Sequence, residues 1–192
     1  MRLIAGRARG LPILSPKHDA RPTTGRAREA IFSKLASRLP GAAVADLFAG
    51  SGALGLEALS RGAASAVFVE NHRNACEVIR RNIESTGFAA EASVRQTDVM
   101  GWLRSATGPF DLIFADPPYR NSPAEPDRAA PLLAAPELPT LLARNGLFVL
   151  ETRAGRDRLV VPSPWRLCDQ KTYGSSLISF LQPRAQPLGQ AE

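Results

Sequence analysis

The sequence predicts an α/β fold, a mostly parallel sheet with helices on both of its faces. Three observations carry that prediction. Short apolar runs alternate with amphipathic segments from about residue 43 onward, which is the pattern of repeated βα units. Val67-Phe68-Val69 and Leu147-Phe148-Val149-Leu150 are apolar on consecutive residues, as strands buried on both faces must be. Pro40-Gly41, Gly62 and Gly87 punctuate the amphipathic segments where helices should stop.

The elements follow in order. Residues 1–22 hold Leu3-Ile4 and Leu11-Pro12-Ile13-Leu14 separated by glycine and arginine, a pattern for a small hairpin or extended arm. Thr23 and Thr24 offer caps to a helix through Ala27, Ala30, Ile31, Phe32 and Leu35. A strand is expected over 44–48, a helix over 53–61 and a second strand over 66–70. Ala75, Val78, Ile79 and Ile83 recur at helical spacing and predict a helix over 73–86. Next come a strand over 92–96, a short helix over 99–105 and a strand over 110–115. A Leu- and Ala-rich helix over 129–144 leads to a strand over 147–151, and strands over 166–173 and 176–182 sit close enough to form a C-terminal antiparallel hairpin. The expected division is an arm with its helix over 1–40, the main domain over 41–183 and a tail over 184–192.

The chain has 192 residues, enough for one domain whose core needs no metal or disulfide. Its 44% hydrophobic and 22% charged residues argue against disorder. No apolar run approaches the ~18–20 residues of a membrane span, and no apolar stretch follows the first arginines as in a secretory signal. Cys76 and Cys168 stand apart, without metal-ligand or redox spacing. No metal is expected, and two unpatterned thiols suit a reducing, cytoplasmic compartment. A monomer is expected.

The net charge is +6, and its placement says more than its size. Residues 1–30 hold seven basic side chains against two acidic ones, a net +5. The seven are Arg2, Arg7, Arg9, Lys17, Arg21, Arg26 and Arg28. Across the chain 21 of 24 basic residues are arginine, whose fork suits phosphate oxygens and whose plane stacks on bases. An RNA or DNA partner for the arm is the functional reading; a solvated tail in an arginine-rich composition is the bland one.

Gly50-Ser51-Gly52-Ala53-Leu54-Gly55 follows the first strand of the main domain and opens a helix. Glycine there allows a tight turn and close approach of backbone to a ligand, with the helix N-terminus adding N–H groups. Glu70 ends the next strand, 20 residues after Gly50, where a carboxylate accepts hydrogen bonds from ribose hydroxyls. The pattern fits any nucleoside cofactor, and a ligand-free turn is the bland alternative. It is no Walker loop, because no Lys-Ser/Thr follows. Asp46, Asp98 and Asp116 lie in or at the ends of other strands, so a row of carboxylates meets the edge where α/β ligands bind. Asp46 is expected either to hold the loop's amides or to meet a cationic tail of the ligand. Such a row suits a ligand rich in donors and repels a pyrophosphate.

Asp116-Pro117-Pro118-Tyr119 carries the reaction class. Two prolines make a stiff turn with fixed carbonyl directions. The Asp116 carboxylate and the Pro117 carbonyl together can accept hydrogen bonds from both N–H groups of a planar exocyclic amine, aiming its lone pair at a methyl donor. Tyr119 offers a stacking face. Standing alone the tetrapeptide also reads as ordinary turn chemistry.

Taken together, Asp46-Leu-Phe-Ala-Gly-Ser-Gly-Ala-Leu-Gly55, Phe68-Val-Glu70, Asp98 and Asp116-Pro-Pro-Tyr119 resemble the class I S-adenosylmethionine-dependent methyltransferases. Arg21-Pro-Thr-Thr and Arg28-Glu-Ala-Ile-Phe32 narrow the resemblance to the RsmD-type 16S ribosomal RNA guanine-N2 methyltransferases, from Met1 to about Leu181. Gly25 and His72 depart from that pattern, each standing where an acid is usual. The resemblance implies a seven-stranded Rossmann-like sheet, with residues 41–183 as the methyltransferase domain. It implies S-adenosyl-L-methionine as cofactor, held by Asp46, Gly50, Ser51 and Gly52, by Glu70 at the ribose, and by Asp98 and the Val99 amide at the adenine. Asp116, Pro117, Pro118 and Tyr119 would hold a guanine of 16S ribosomal RNA in the small ribosomal subunit, flipped out for reaction. The nearest alternative is a DNA amino-methyltransferase acting on adenine N6 or cytosine N4. A protein amide methyltransferase would resemble an Asn-Pro-Pro-Tyr pattern instead. An NAD-dependent oxidoreductase uses the glycine loop and Glu70 but leaves Asp116–Tyr119 unexplained, and a non-catalytic RNA-binding module needs neither loop.

Overall fold

The computed structural model describes residues 1–16, 25–118, 127–155 and 161–184. β1 (Ala43–Leu47) is the point from which the chain winds in both directions. β2 (Ser65–Glu70) and β3 (Ala92–Gln96) add in parallel on one side of it, and β4 (Phe110–Ala115) and β5 (Leu142–Arg153) on the other. β7 (Ser176–Pro183) then inserts antiparallel between β5 and β6 (Trp165–Tyr173). The seven-stranded order is β3-β2-β1-β4-β5-β7-β6, with the C-terminal hairpin the sequence predicts. Its topological switch lies between β1 and β4, the place where open α/β sheets bind ligands.

The strand period of two sorts the core onto the two faces. Val44, Phe68, Leu112, Phe114 and Val149 pack on one face, with Ile31 and Phe32 of α1 (Gly25–Lys34), Leu56 and Leu59 of α2 (Ala53–Ser60), and Ile79 and Ile83 of α3 (Arg73–Thr86). Phe32 and Phe114 meet there with ring centroids 5.5 Å apart. Ala45, Leu47, Val69, Ile113, Phe148 and Leu150 pack on the other face. They meet Trp102 of α4 (Val99–Leu103), Leu132 and Leu133 of α5 (Ala129–Ala134), and Leu138 of α6 (Glu137–Thr140).

The helix expected over 129–144 is two helices, α5 and α6, separated at Ala135, which is extended and precedes Pro136. A proline disfavours the helical conformation in the residue before it, so Ala135 leaves the helix. β5 also starts earlier than expected, at Leu142, with a register shift opposite Phe110–Leu112. The proposed caps Thr23 and Thr24 lie outside the described residues.

The N-terminal segment does not stand away from the domain. Leu3 and Gly10–Leu11 exchange backbone hydrogen bonds and Arg2 pairs with Pro12, making the small hairpin one of the two expected forms. Leu3, Ala8 and Ile13 are buried in the same core as Phe32, Leu56 and Phe68. Glu57, a fully buried carboxylate on α2, accepts the N–H groups of Ile4 (2.8 Å) and Ala5 (3.0 Å) and the Nε–H of Arg61 (2.7 Å). Ser60 Oγ accepts the Ala8 N–H at 3.1 Å and donates to the Ala5 carbonyl. Gly6, at φ +83°, passes so near that an added Cβ would lie 1.8 Å from the Ser60 carbonyl oxygen. Only glycine fits both that angle and that contact.

Candidate active site

The sheet order places four chain segments side by side at its carboxyl edge: Asp98 after β3, Glu70 at the end of β2, the glycine loop after β1 and Asp116 after β4. Leu47 pairs with Val69 on one side and Ala115 on the other, so Glu70 and Asp116 flank the start of the loop. The row of carboxylates expected from the sequence is therefore one edge of one sheet.

The loop itself is held by backbone geometry that favours glycine. Gly50 and Gly52 have φ of 54° and 78°, and Phe48 ahead of them is the described non-glycine residue with positive φ, at 57°. The Gly52 N–H bonds to the Ala49 carbonyl at 2.6 Å, closing the turn into α2. Gly55 lets α2 approach β2, since an added Cβ would lie 2.3 Å from Cε1 of Phe68.

Glu70 is 7% exposed and aims both oxygens at backbone donors. Oε2 accepts the Gly50 N–H at 3.0 Å and Oε1 the His72 N–H at 2.8 Å. Each carboxylate oxygen carries two lone-pair directions, so a second acceptor site remains on each. A cleft of 860 Å³ adjoins it, lined by Leu14, Ser15, Pro16, Gly50, Glu70 and the first half of α3, among others. That volume falls within the ~300–1,000 Å³ of small-molecule sites. Paired acceptors beside a glycine turn and a cleft of this size fit the ribose end of a nucleoside cofactor.

Asp46 makes a bond of the first kind expected of it, to a backbone N–H at the start of α2. Strand alternation turns it to the same face as Val44, where α2 begins, and its Oδ2 accepts the Gly55 N–H at 2.8 Å. It is 2% exposed. Burial pushes its carboxyl up to about 7; the Gly55 N–H opposes that and the nearby Glu70 charge adds to it. Ser51 is buried, with its carbonyl accepting from Asn82 Nδ2 at 2.9 Å. Asp98 caps α4 by accepting the Gly101 N–H at 3.1 Å, and Val99 behind it is buried. Asp116 is half-buried, Pro117 buried and Pro118 exposed, while Tyr119 lies outside the described residues. Among the described residues, no three His, Cys, Asp or Glu side chains gather as a metal site, and no helix is long and apolar enough to cross a membrane.

The basic residues divide differently from expectation. Arg28 is 3% exposed and corrects the reading that it contacts nucleic acid. Its Nη2 donates to the Arg2 carbonyl at 2.6 Å and its Nη1 meets Met1 Sδ, so it clamps the N-terminal hairpin from inside. Burial lowers its pKa, Glu57 opposes that shift and Arg61 adds to it. Arg2 Nη1 donates to the Gly10 carbonyl at 2.7 Å. Arg7 pairs with Glu91 and lies over the Phe88 ring, 4.6 Å from its centroid, and its bond holds the Glu91 carboxyl below its ordinary value. Arg9 and Arg26 are exposed, and Lys17 and Arg21 lie outside the described residues.

Three buried polar residues of this framework went unread in the sequence: Glu57, Ser60 and Asn82. The available signal was a polar residue at a core-facing helical position, beside Leu56, Leu59, Ile79 and Ile83.

Known proteins resemble the chain along nearly its whole length. The family model described as Conserved hypothetical protein 95 matches residues 1–182. The chain is similar to ribosomal RNA small subunit methyltransferase D of Escherichia coli K12, 35% identical with 97% of this chain and 91% of that protein covered. It is similar to the protein of the same name from Haemophilus influenzae, at 34% identity over 91% of this chain and 89% of the other. Among solved structures, a hypothetical protein of Thermus thermophilus superposes with a TM-score of 0.77 at 31% identity, covering 95% and 99% of the two chains. Likeness therefore runs along nearly the whole length, and the chain belongs to the Conserved hypothetical protein 95 family, the RsmD-type methyltransferases.

Proposed function

We propose that this protein transfers the methyl group of S-adenosylmethionine to the exocyclic N2 amine of a guanine in 16S ribosomal RNA of the small ribosomal subunit. The observation that carries the reading is the meeting, at one sheet switch point, of a glycine loop braced by Glu70 and an Asp-Pro-Pro turn after β4. The relatives' names support ribosomal RNA as the substrate class.

When bound, S-adenosylmethionine supplies a methyl group on a positively charged sulfur. In this reading the backbone of Gly50, Ser51 and Gly52 lies under its amino-acid end. The second acceptor sites of Glu70 receive the ribose hydroxyls, and Asp98 with the Val99 N–H addresses the adenine. Asp46 acts from beneath by fixing the start of α2 through Gly55. Across the switch point, Asp116 and the Pro117 carbonyl accept hydrogen bonds from the two N–H groups of the target amine and orient its lone pair, and the one proton released on methylation passes to Asp116 or to water. Tyr119 stacks on the flipped base. Holding amine and methyl donor in line supplies the acceleration, by proximity and orientation rather than by a strong base.

Calorimetric titration with S-adenosylmethionine and with NAD separates this reading from an oxidoreductase. Incubation with radiolabelled S-adenosylmethionine and either small subunits from a strain lacking the relative or duplex DNA separates it from a DNA amino-methyltransferase. The expected result is label in 16S ribosomal RNA, recovered as N2-methylguanosine by nucleoside mass spectrometry. Label on adenine N6 or cytosine N4 of DNA, or binding of NAD alone, would overturn it.

A further inference from the structure

Asn82 stands on α3 between Ile79 and Ile83, where helical spacing points into the core, and it has no exposed surface. Its carboxamide is used at both ends. Oδ1 accepts the Leu14 N–H at 2.8 Å, and Nδ2 donates to the Leu14 carbonyl at 3.0 Å and the Ser51 carbonyl at 2.9 Å. The two bonds to Leu14 read one backbone residue as a neighbouring strand would. The third reaches the residue between the two positive-φ glycines of the loop.

That third bond has a specific consequence. The Ser51 carbonyl and the Gly52 N–H belong to one planar peptide unit, so fixing one end orients the other. The N–H end is bonded to Ala49 and the carbonyl end to Asn82. With glycine on its C-terminal side, this unit turns more freely than a peptide between two residues that carry side chains. Leu14, held by the same amide, lines with Ser15 and Pro16 the cleft that Gly50 and Glu70 also line. One buried side chain therefore ties the glycine loop and the N-terminal edge of the cleft to the same helix.

We propose that Asn82 is a positioning residue for cofactor binding, setting the Ser51–Gly52 peptide and the Leu14–Pro16 edge of the cleft together. The proposal rests on the reading that the glycine loop takes the cofactor. A buried amide whose only task is to secure the hairpin would affect stability and nothing else. A positioning amide affects cofactor affinity, and leaves turnover at saturating cofactor nearly intact because Asn82 touches neither reacting group.

The test compares Asn82→Ala and Asn82→Ser with Ser60→Ala, which removes two of the hairpin's bonds to α2 without touching the loop. Calorimetry with S-adenosylmethionine should show about a fivefold to tenfold weaker Kd in both Asn82 variants, the size expected for one net hydrogen bond. The KM for the cofactor should rise in parallel while kcat stays within about twofold, and Ser60→Ala should lose stability with an unchanged Kd. Folded Asn82 variants with wild-type Kd, or an equal weakening in Ser60→Ala, would overturn the proposal. Should neither Asn82 variant fold, the wild-type protein decides: saturating S-adenosylhomocysteine should slow exchange of the Asn82 side-chain amide protons, and no slowing would overturn it. A Glu70→Ala variant with wild-type cofactor affinity would instead overturn the underlying site reading.

Discussion

Glu70 Oε2 accepts the Gly50 N–H at 3.0 Å, so the carboxylate at the end of β2 and the first glycine after β1 are one unit. The sequence spacing suggests a ligand contact for Glu70; the structure gives it a second task, holding the loop. Glu70→Ala should therefore weaken S-adenosylmethionine binding by about 1.5–3 kcal/mol and also lower stability, since two backbone N–H groups lose a charged acceptor. Glu70→Gln keeps one acceptor oxygen and should sit between. Calorimetry paired with urea unfolding checks both effects, and an unchanged Kd in Glu70→Ala removes the ribose role.

In the proposed reading Asp116 addresses the target amine rather than the cofactor. Asp116→Ala should reduce methyl transfer by a few orders of magnitude while S-adenosylmethionine still binds, because orientation of the reacting groups supplies up to ~7–11 kcal/mol of a barrier. Asp116→Asn should be milder, with one acceptor oxygen kept. Near-normal single-turnover rates in Asp116→Ala would take the amine-orienting role away from this carboxylate.

Asp46 makes stability depend on pH. Its folded pKa of about 7 stands above the ordinary carboxylate value, chiefly through burial. A raised carboxyl pKa means the folded state holds a proton that the unfolded chain releases, so this contribution is complete below about pH 4 and fades as pH rises through 7. Asp46→Asn keeps an oxygen for the Gly55 N–H and removes the titration. The stability difference between wild type and Asp46→Asn, measured by denaturant unfolding from pH 4.5 to 8, should move in favour of the variant as pH rises. A flat difference contradicts the burial of an ionisable group here.

Arginines of the first 30 residues should separate into two classes. Arg28→Ala should destabilise the fold, because the guanidinium is buried and holds the Arg2 carbonyl. Arg9→Gln and Arg26→Gln, on exposed side chains, should leave stability unchanged and lower the slope of log RNA affinity against log salt by about 0.7 each. Binding isotherms at several salt concentrations decide this, and an unchanged slope in the double variant places the RNA elsewhere. Deleting residues 1–16 is no substitute, since Leu3, Ala8 and Ile13 belong to the core.

Gly55→Ala tests the packing that carries the loop. Its Cβ would press on the Phe68 ring at 2.3 Å, and overpacking of this kind costs about 1–3 kcal/mol. The lower midpoint in urea should be accompanied by weaker cofactor binding, because α2 and the loop shift as one. Wild-type stability would show that Phe68 moves aside freely.

Local pattern alone determined much of this protein. The alternation of apolar runs and amphipathic segments, the Gly50–Gly55 turn, Glu70 after it and Asp116-Pro-Pro after β4 are short-range features, and period and turn chemistry make them legible. The row of acids was legible too, because parallel βα units must bring strand ends to one edge. What only the tertiary structure decided concerns partners distant in the chain. Charge counting treats Arg28 and Arg9 alike, yet one is sealed beneath the hairpin and the other faces solvent. Nothing local to α2 or α3 says that Glu57 reaches Ile4 and Ala5, or that Asn82 joins Leu14 to Ser51. A buried polar side chain takes its role from whichever unpaired backbone group packing brings to it, and that is a property of the assembled core rather than of sequence spacing.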